Sequence, residues 1–416
     1  MKYTWRDEIE YFLSNRNFRQ LSINEWISTF GDTVFYLAFI NYVSSYAFAP
    51  LAILMITTSE TLPQIMQIFT GVVADFQKNR IGKYSVLMFV KFVLYATVAL
   101  ILVGTKFSLV SVFLICLINF VSDTIGYFSS AMITPIYVKI INNDMTSALG
   151  FKQATANLVR VFGNLSGGAL IGFINIGMFA GMNALTFLFA FFGILLIRTN
   201  LVRFEEQIEV TQALDSKNFW KHLLDSLKIL GSLGNIIKLI GILSINQAVI
   251  NVTIPVTTLL LIKYPFAGLE TGQSIAILTT VELIGIVCGN FLSGNVMKKM
   301  STKTSVYLSQ VMEFVILVGF LNNNFLVVLL AAFGNTFSIG ILSPRLQQSV
   351  FRLVPEQSMG AVQSGISMLS IVLPGILSIV LVGIASSLGI VYVAVSLGVL
   401  LFLGMFLVYS IKNIAE

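Results

Sequence analysis

Charge is what this sequence has least of. Asp, Glu, Lys and Arg make up 11% of its 416 residues against 56% hydrophobic ones, and its mean hydropathy is +0.89. A soluble domain is about one quarter charged, so water is excluded as the solvent of most of this chain. Cysteine is scarce as well. Cys116 and Cys288 both fall inside apolar stretches and read as packing, which leaves no disulfide framework and no metal knuckle. The single histidine, His222, stands in a polar stretch and reads as solvated or interfacial. No G-x-x-x-x-G-K-[ST] occurs: Gly82-Lys83 is followed by Tyr84 and lacks the earlier glycine, which argues against an ATP-driven pump. A cleavable leader is not expected, because residues 1–18 are too charged to hold an apolar core; the first span would itself target the chain.

What is abundant is the long apolar run. A bilayer core takes about 20 such residues per helix, and runs of that kind lie near 20–43, 52–74, 84–104, 107–137, 147–174 and 177–197, then 237–262, 272–297, 304–321, 325–344, 358–386 and 388–411. They lack the alternation of a membrane barrel. The expected fold class is therefore an all-α polytopic membrane protein of twelve transmembrane helices. With a cytoplasmic N-terminus, loops and tails on the inner side collect 21 of the 25 Lys and Arg residues and the outer loops keep only Lys106 and Lys263, the other two, Lys91 and Arg160, lying within spans. That asymmetry predicts both termini inside.

A polar stretch at about 198–236 divides the spans six and six. It holds Glu205, Glu206 and Glu209 and an amphipathic segment, 219–228, whose Phe219, Trp220, Leu223, Leu224 and Leu227 suit a helix lying on the membrane surface. The expected domains are thus a half at 1–197, a cytoplasmic linker at 198–236 and a half at 237–416. Short internal matches support a duplication. Leu21-Ser22-Ile23-Asn24-Glu25 recurs as Leu243-Ser244-Ile245-Asn246-Gln247, 78–86 aligns with 298–306, pairing Asp75 with Asn295, and Gly150-Phe151-Lys152-Gln153 with Gly360-Ala361-Val362-Gln363.

After span two the chain reads Gly71-Val72-Val73-Ala74-Asp75-Phe76-Gln77-Lys78-Asn79-Arg80-Ile81-Gly82-Lys83. Gly71 suits a close helix approach, and Asp75 at a helix end suits pairing with loop cations or capping a neighbouring helix. The stretch resembles the signature of the major facilitator superfamily, apart from Phe76 where a basic residue is usual. Phe18-Arg19, Gly31-Asp32, and Ala154, Asn157 and Arg160 followed by Gly163, Gly167, Gly168 and Gly172 extend the resemblance to the bacterial drug-efflux branch that includes macrolide exporters; Gly168 stands where that branch has proline. The resemblance implies the major facilitator fold of two six-helix halves and makes Gly71, Asp75, Arg80 and Lys83 a conformational latch.

Ionisable side chains inside spans are the candidate site, since each costs about 2.5–3.5 kcal/mol at the bilayer centre on insertion scales and has to face a partner or a wet cavity. They are Glu25, Asp32, Glu60, Lys91, Asp123, Arg160, Glu282 and Glu313. At about 1.5 Å per residue, Asp32, Asp123, Arg160, Glu60 and Glu282 fall near the midplane and Glu313 slightly shallower. Glu25 and Lys91 share a shallower level and would pair if their helices touch. Spans one and four line the cavity in the superfamily, so the resemblance favours Asp32 and Asp123 as the proton-coupling or substrate groups. Arg160 would either modulate Asp123 or form a static ion pair with it, and Glu60, Glu282 and Glu313 would take part or only line wet clefts. Acids outnumber bases in the spans, which favours protons and cationic cargo. The expectation is a proton-coupled secondary exporter of amphiphilic or cationic small molecules in the bacterial cell membrane. It would be a monomer without cofactor, metal, nucleic acid or enzymatic activity, driven by the proton gradient. A lipid, peptide or siderophore exporter, an uptake carrier, and, from other classes, a channel or membrane enzyme stand as alternatives.

Overall fold

The computed structural model describes residues 12–104, 106–140, 145–208, 235–293, 301–353 and 359–410, within which the secondary structure is helical. Twelve long helices occur among these residues: α1 (Arg16–Ser44), α2 (Ala49–Asp75), α3 (Arg80–Gly104), α4 (Leu109–Ile140), α5 (Met145–Leu170), α6 (Ile176–Glu205), α7 (Asn235–Lys263), α8 (Thr271–Ser293), α9 (Thr302–Leu321), α10 (Phe325–Leu353), α11 (Met359–Ser387) and α12 (Ile390–Ser410). Nine of them, all but α1, α2 and α5, contain a described stretch long and apolar enough to cross a membrane. Helices α1 and α2 are diluted by polar side chains such as Arg19, Glu25 and Asp32 on α1 and Glu60 and Gln64 on α2, and the side chains of α5 are described only from 154 to 170.

Several helices outrun the apolar runs that announce them. Helix α3 starts at Arg80 and α6 ends at Glu205, well into the expected linker. Charged side chains at a helix end reach water while the backbone stays hydrogen-bonded, so a hydropathy boundary marks the edge of the hydrocarbon and not the edge of the helix. The remainder of the expected linker from 209 to 234, with the amphipathic segment and His222, lies outside the described residues.

The surface has the polarity of a lipid-solvated protein. Phe173, Leu100, Val103 and Phe402 are each more than two-thirds exposed, whereas Asn183, Asn246, Ser309, Glu313 and Asn335 are almost wholly buried. In hydrocarbon every polar group has to be satisfied inside. Threonine and serine hydroxyls accordingly donate back to carbonyls one turn earlier, as from Thr57 to Ile53 and Thr253 to Val249.

By contacts the chain divides into two compact units, Met1–Tyr42 with Leu62–Ala213, and Val43–Thr61 with Leu214–Glu416. The division cuts α2 beside Pro63, a residue that removes one helical hydrogen bond. In the first unit α3 packs chiefly on α6, and then on α4. In the second, α10 packs on α8 and α9, and α7 on α11, with Leu239, Ile242, Val306, Leu342 and Val408 forming a core between α7, α9, α10 and α12.

The α8–α10 contact depends on glycine. A Cβ on Gly289 would run into the Phe337 carbonyl and stand 3.0 Å from Cα of Gly340, and one on Gly285 would strike the Thr336 hydroxyl. Without side chains at these positions the backbones approach closely, the small-residue packing that replaces the hydrophobic effect between helices in lipid. Gly289→Ala is therefore expected to lower stability by about 1–3 kcal/mol, measured by denaturant unfolding of the purified protein; an unchanged midpoint would show that the two helices can part at little cost.

Candidate functional site

Four helices of the first unit bring their polar side chains to one line. Lys91 on α3 is 4% exposed, and its ammonium stands 3.5 Å from Oδ2 of Asp32 on α1 and 4.0 Å from the centre of the Phe187 ring on α6. Asn183, one turn before Phe187, donates to Oδ1 of Asp32 at 3.0 Å. Gly31 makes room for this: a Cβ there would lie 2.5 Å from Oδ1 of Asn183 and collide with the Thr186 hydroxyl. The buried cation thus has a counter-charge and an aromatic face, both of which offset its desolvation.

The line continues along α3 and α4. Tyr95, one turn on from Lys91, meets the rings of Phe35 and Phe187 at 5.2 and 5.5 Å and donates its hydroxyl to Oδ1 of Asn119 at 2.6 Å. Asn119 passes the interaction on, its Nδ2 donating to Oδ2 of Asp123 at 3.2 Å. Gly126, on the same face of α4 as Asp123, faces the Lys91 ammonium, which would stand 3.4 Å from a Cβ there. Lys91 therefore lies between Asp32 of α1 and Gly126 of α4. The acids are more open than the base: Asp32 is 34% exposed and Asp123 half-buried.

The other residues singled out from sequence fall as follows. Glu25 accepts from the Tyr137 hydroxyl at 3.2 Å, while Lys91 is taken by Asp32 and not by Glu25. Arg160 is exposed on α5 and forms no ion pair among the described residues, Asp123 included. Glu60 is half-buried on α2, and Glu282 is buried on α8. Glu313 on α9 is completely buried in the second unit. Asn246, with its amide nitrogen toward the acid, donates to Oε1 of Glu313 at 3.2 Å and to the Ile242 carbonyl at 3.1 Å, and Ser309 Oγ lies 2.8 Å from the amides of both Asn246 and Asn335.

At the expected latch, a Cβ on Gly71 would meet nothing within 4 Å among the described residues, and the Asp75 side chain lies outside them. Arg80 is buried and donates to the Met132 carbonyl at 3.1 Å, and Lys83 donates to Gln77 at 2.6 Å. The head of α3 is capped by Glu205 from the end of α6, which accepts from the backbone N–H groups of Arg80 and Ile81. Among the described residues no group of His, Cys, Asp and Glu gathers as a metal site.

Sequence reasoning passed over Tyr95, Asn119, Asn183, Phe187 and Glu205. Three pairs did carry a signal, because Lys91 with Tyr95, Asn119 with Asp123, and Asn183 with Phe187 are each spaced i, i+4 and so share a helix face.

Residues 12–222, the stretch that contains this whole line of side chains, match the family described as transmembrane secretion effector. The chain belongs to this family, within the major facilitator superfamily. No curated protein matches it in sequence. Solved structures that resemble this transmembrane secretion effector include the nucleoside transporter NupG, 14% identical with a TM-score of 0.68 over 95% of this chain and 100% of that one. A peptide transporter POT in complex with sulfate is 14% identical with a TM-score of 0.68, over 95% and 94%. A POT family transporter in complex with 5-aminolevulinic acid is 12% identical with a TM-score of 0.68, over 95% and 96%. At these identities the likeness establishes the fold. The family member is a multi-pass membrane protein with the fold of a secondary transporter, and the family and the structures it resembles are transporters and not enzymes.

The unequal exposure of the ion pair makes a prediction. Lys91→Met leaves Asp32, one-third exposed, able to draw on water, whereas Asp32→Asn strands an ammonium that is almost fully buried. Asp32→Asn should therefore be the more destabilising single change, by up to about 3 kcal/mol, and combining it with Lys91→Met should restore most of the loss. Denaturant unfolding of the three variants checks the order; equal losses for the two single changes would contradict it.

Proposed function

We propose that the protein is a proton-coupled exporter of amphiphilic, cationic small molecules, in which two six-helix halves of twelve transmembrane helices alternate in exposing a central site. The observation that carries this reading is the buried Lys91 ammonium, 3.5 Å from the partly exposed Asp32 carboxylate and facing Gly126, three residues along α4 from the partly exposed Asp123. One cation paired with Asp32, and Asp123 linked through Asn119 to Tyr95, leave an excess negative charge near the rings of Phe35, Tyr95 and Phe187. Such a site suits a flat organic cation, which draws on both the charge and the aromatic faces. Protons and the cargo compete for the same carboxylates, so uptake of one favours release of the other, the requirement of antiport. Lys91 holds the emptied site, pairing with Asp32 and lowering the cost of an unoccupied negative cavity.

Other observations are consistent with this scheme. The family description names secretion, which favours export. The offset of 222 residues that relates Asn24 to Asn246 also relates Lys91 to Glu313, each on the third helix of its half and each deeply buried, which favours a duplicated frame at 1–197 and 237–416. The concentration of Lys and Arg in alternate loops favours the bacterial cell membrane with both termini cytoplasmic. Asp75, Arg80 and Lys83, with Gly71, remain the proposed latch, and Glu60, Glu282 and Glu313 are the further acids proposed to take part in coupling.

The test is transport by purified protein in liposomes under an imposed pH gradient. A cationic dye should move against its gradient, a protonophore should abolish the movement, and the Asp32→Asn/Lys91→Met double variant should lose it while remaining folded. Peptides and nucleosides belong in the same panel. Accumulation of one of these with no response to any organic cation would replace the proposed cargo, and dye movement indifferent to the protonophore would remove proton coupling.

A further inference from the structure

A second binding feature lies in the first unit, at the end where α3 begins and α6 finishes, away from the charged line. It is a cavity of about 390 Å³ with Lys83 and Arg198 in its lining and Val86, Leu87 and Phe128 making its apolar wall. Lys83 is exposed and its hydrogen-bond partner is the neutral Gln77; Arg198 is exposed and pairs with no acid among the described residues. The nearest acid of α6, Glu205, is occupied at the head of α3. Among the described residues, neither cation at this mouth is paired with a carboxylate.

The wall leads outward. Val86 is 61% exposed, and Phe89 and Val93 continue the same face of α3 at 44% and 46%, a stripe turned to lipid. A ligand suited to this cavity has an anionic head and an apolar tail running along α3. Basic residues at the end of any span reach for headgroups in general, but Lys139 and Arg203, also exposed at this end, do not line the cavity. We propose that the cavity is a binding site for one anionic phospholipid of the adjoining leaflet, its phosphate between Lys83 and Arg198 and an acyl chain along Val86 and Phe128. The lipid would brace the α3–α6 junction next to the Glu205 cap. This site depends on membrane embedding and not on the cargo or the coupling ion.

Native mass spectrometry of the purified protein tests it, with phosphatidylglycerol, phosphatidylcholine and soluble glycerol phosphate as three separate probes. One phosphatidylglycerol should be retained well above the level of phosphatidylcholine, and glycerol phosphate should not be held. Lys83→Gln and Arg198→Gln should each weaken retention about fivefold, and together about twenty-fivefold. The Lys139→Gln/Arg203→Gln pair, which removes the same net charge outside the cavity, should leave it unchanged. Val86→Trp keeps both cations and fills the wall, so it should also expel the lipid; it decides the matter should the charge variants fail to fold. Equal retention of the anionic and zwitterionic lipids, equal loss in the control pair, undiminished binding by Val86→Trp, or glycerol phosphate bound as tightly as the lipid would each overturn the proposal.

Discussion

A lysine ammonium buried among transmembrane helices is the constraint around which the first unit is organised. Lys91 is 4% exposed, and an ammonium taken out of water without a counter-charge is among the least favourable states a protein interior can hold. Asp32, Asn183, Phe187, Tyr95 and Gly31 all follow from it. The carboxylate supplies charge, the asparagine orients the carboxylate, the ring shields the cation, and the glycine lets α1 and α6 come close enough for the asparagine to reach. The acid stays one-third exposed while the base does not, so the pair is open on the side of Asp32.

The second unit meets the same difficulty in another way. Glu313 is as enclosed as Lys91, but its neighbours are the amides of Asn246 and Asn335 and the Ser309 hydroxyl, with no cation paired to it among the described residues. Hydrogen bonds replace the counter-charge. Two buried ionisable side chains 222 residues apart, one a base and one an acid, are thus accommodated by different chemistry.

The helix ends show why hydropathy alone misplaces function. Glu205 reads in the sequence as part of a charged linker, with nothing to tie it to Arg80, 125 residues earlier. In the fold, α6 runs on past its apolar run and returns to the head of α3, whose first turn contains no acid of its own, so that Glu205 meets N–H groups that no local side chain serves. The same return brings Arg198 beside Lys83. Charges at the helix ends thereby acquire individual surroundings.

The sequence by itself determined the solvent, the helical class and the family resemblance, because these rest on composition, run length and short-range spacing, which survive without any knowledge of neighbours. It also picked out each ionisable residue inside a span, since rarity in an apolar run marks it. Depth along a helix did not determine partners. Glu25 and Lys91 share a level, as do Asp123 and Arg160, yet Lys91 pairs with Asp32 and Arg160 stands exposed. A lysine reaches several ångströms along its own helix, and which face of that helix meets which neighbour is set by packing among α1, α3, α4 and α6. Rotation about the helix axis and the reach of a flexible side chain are properties of the assembled bundle, and only the tertiary structure decided them.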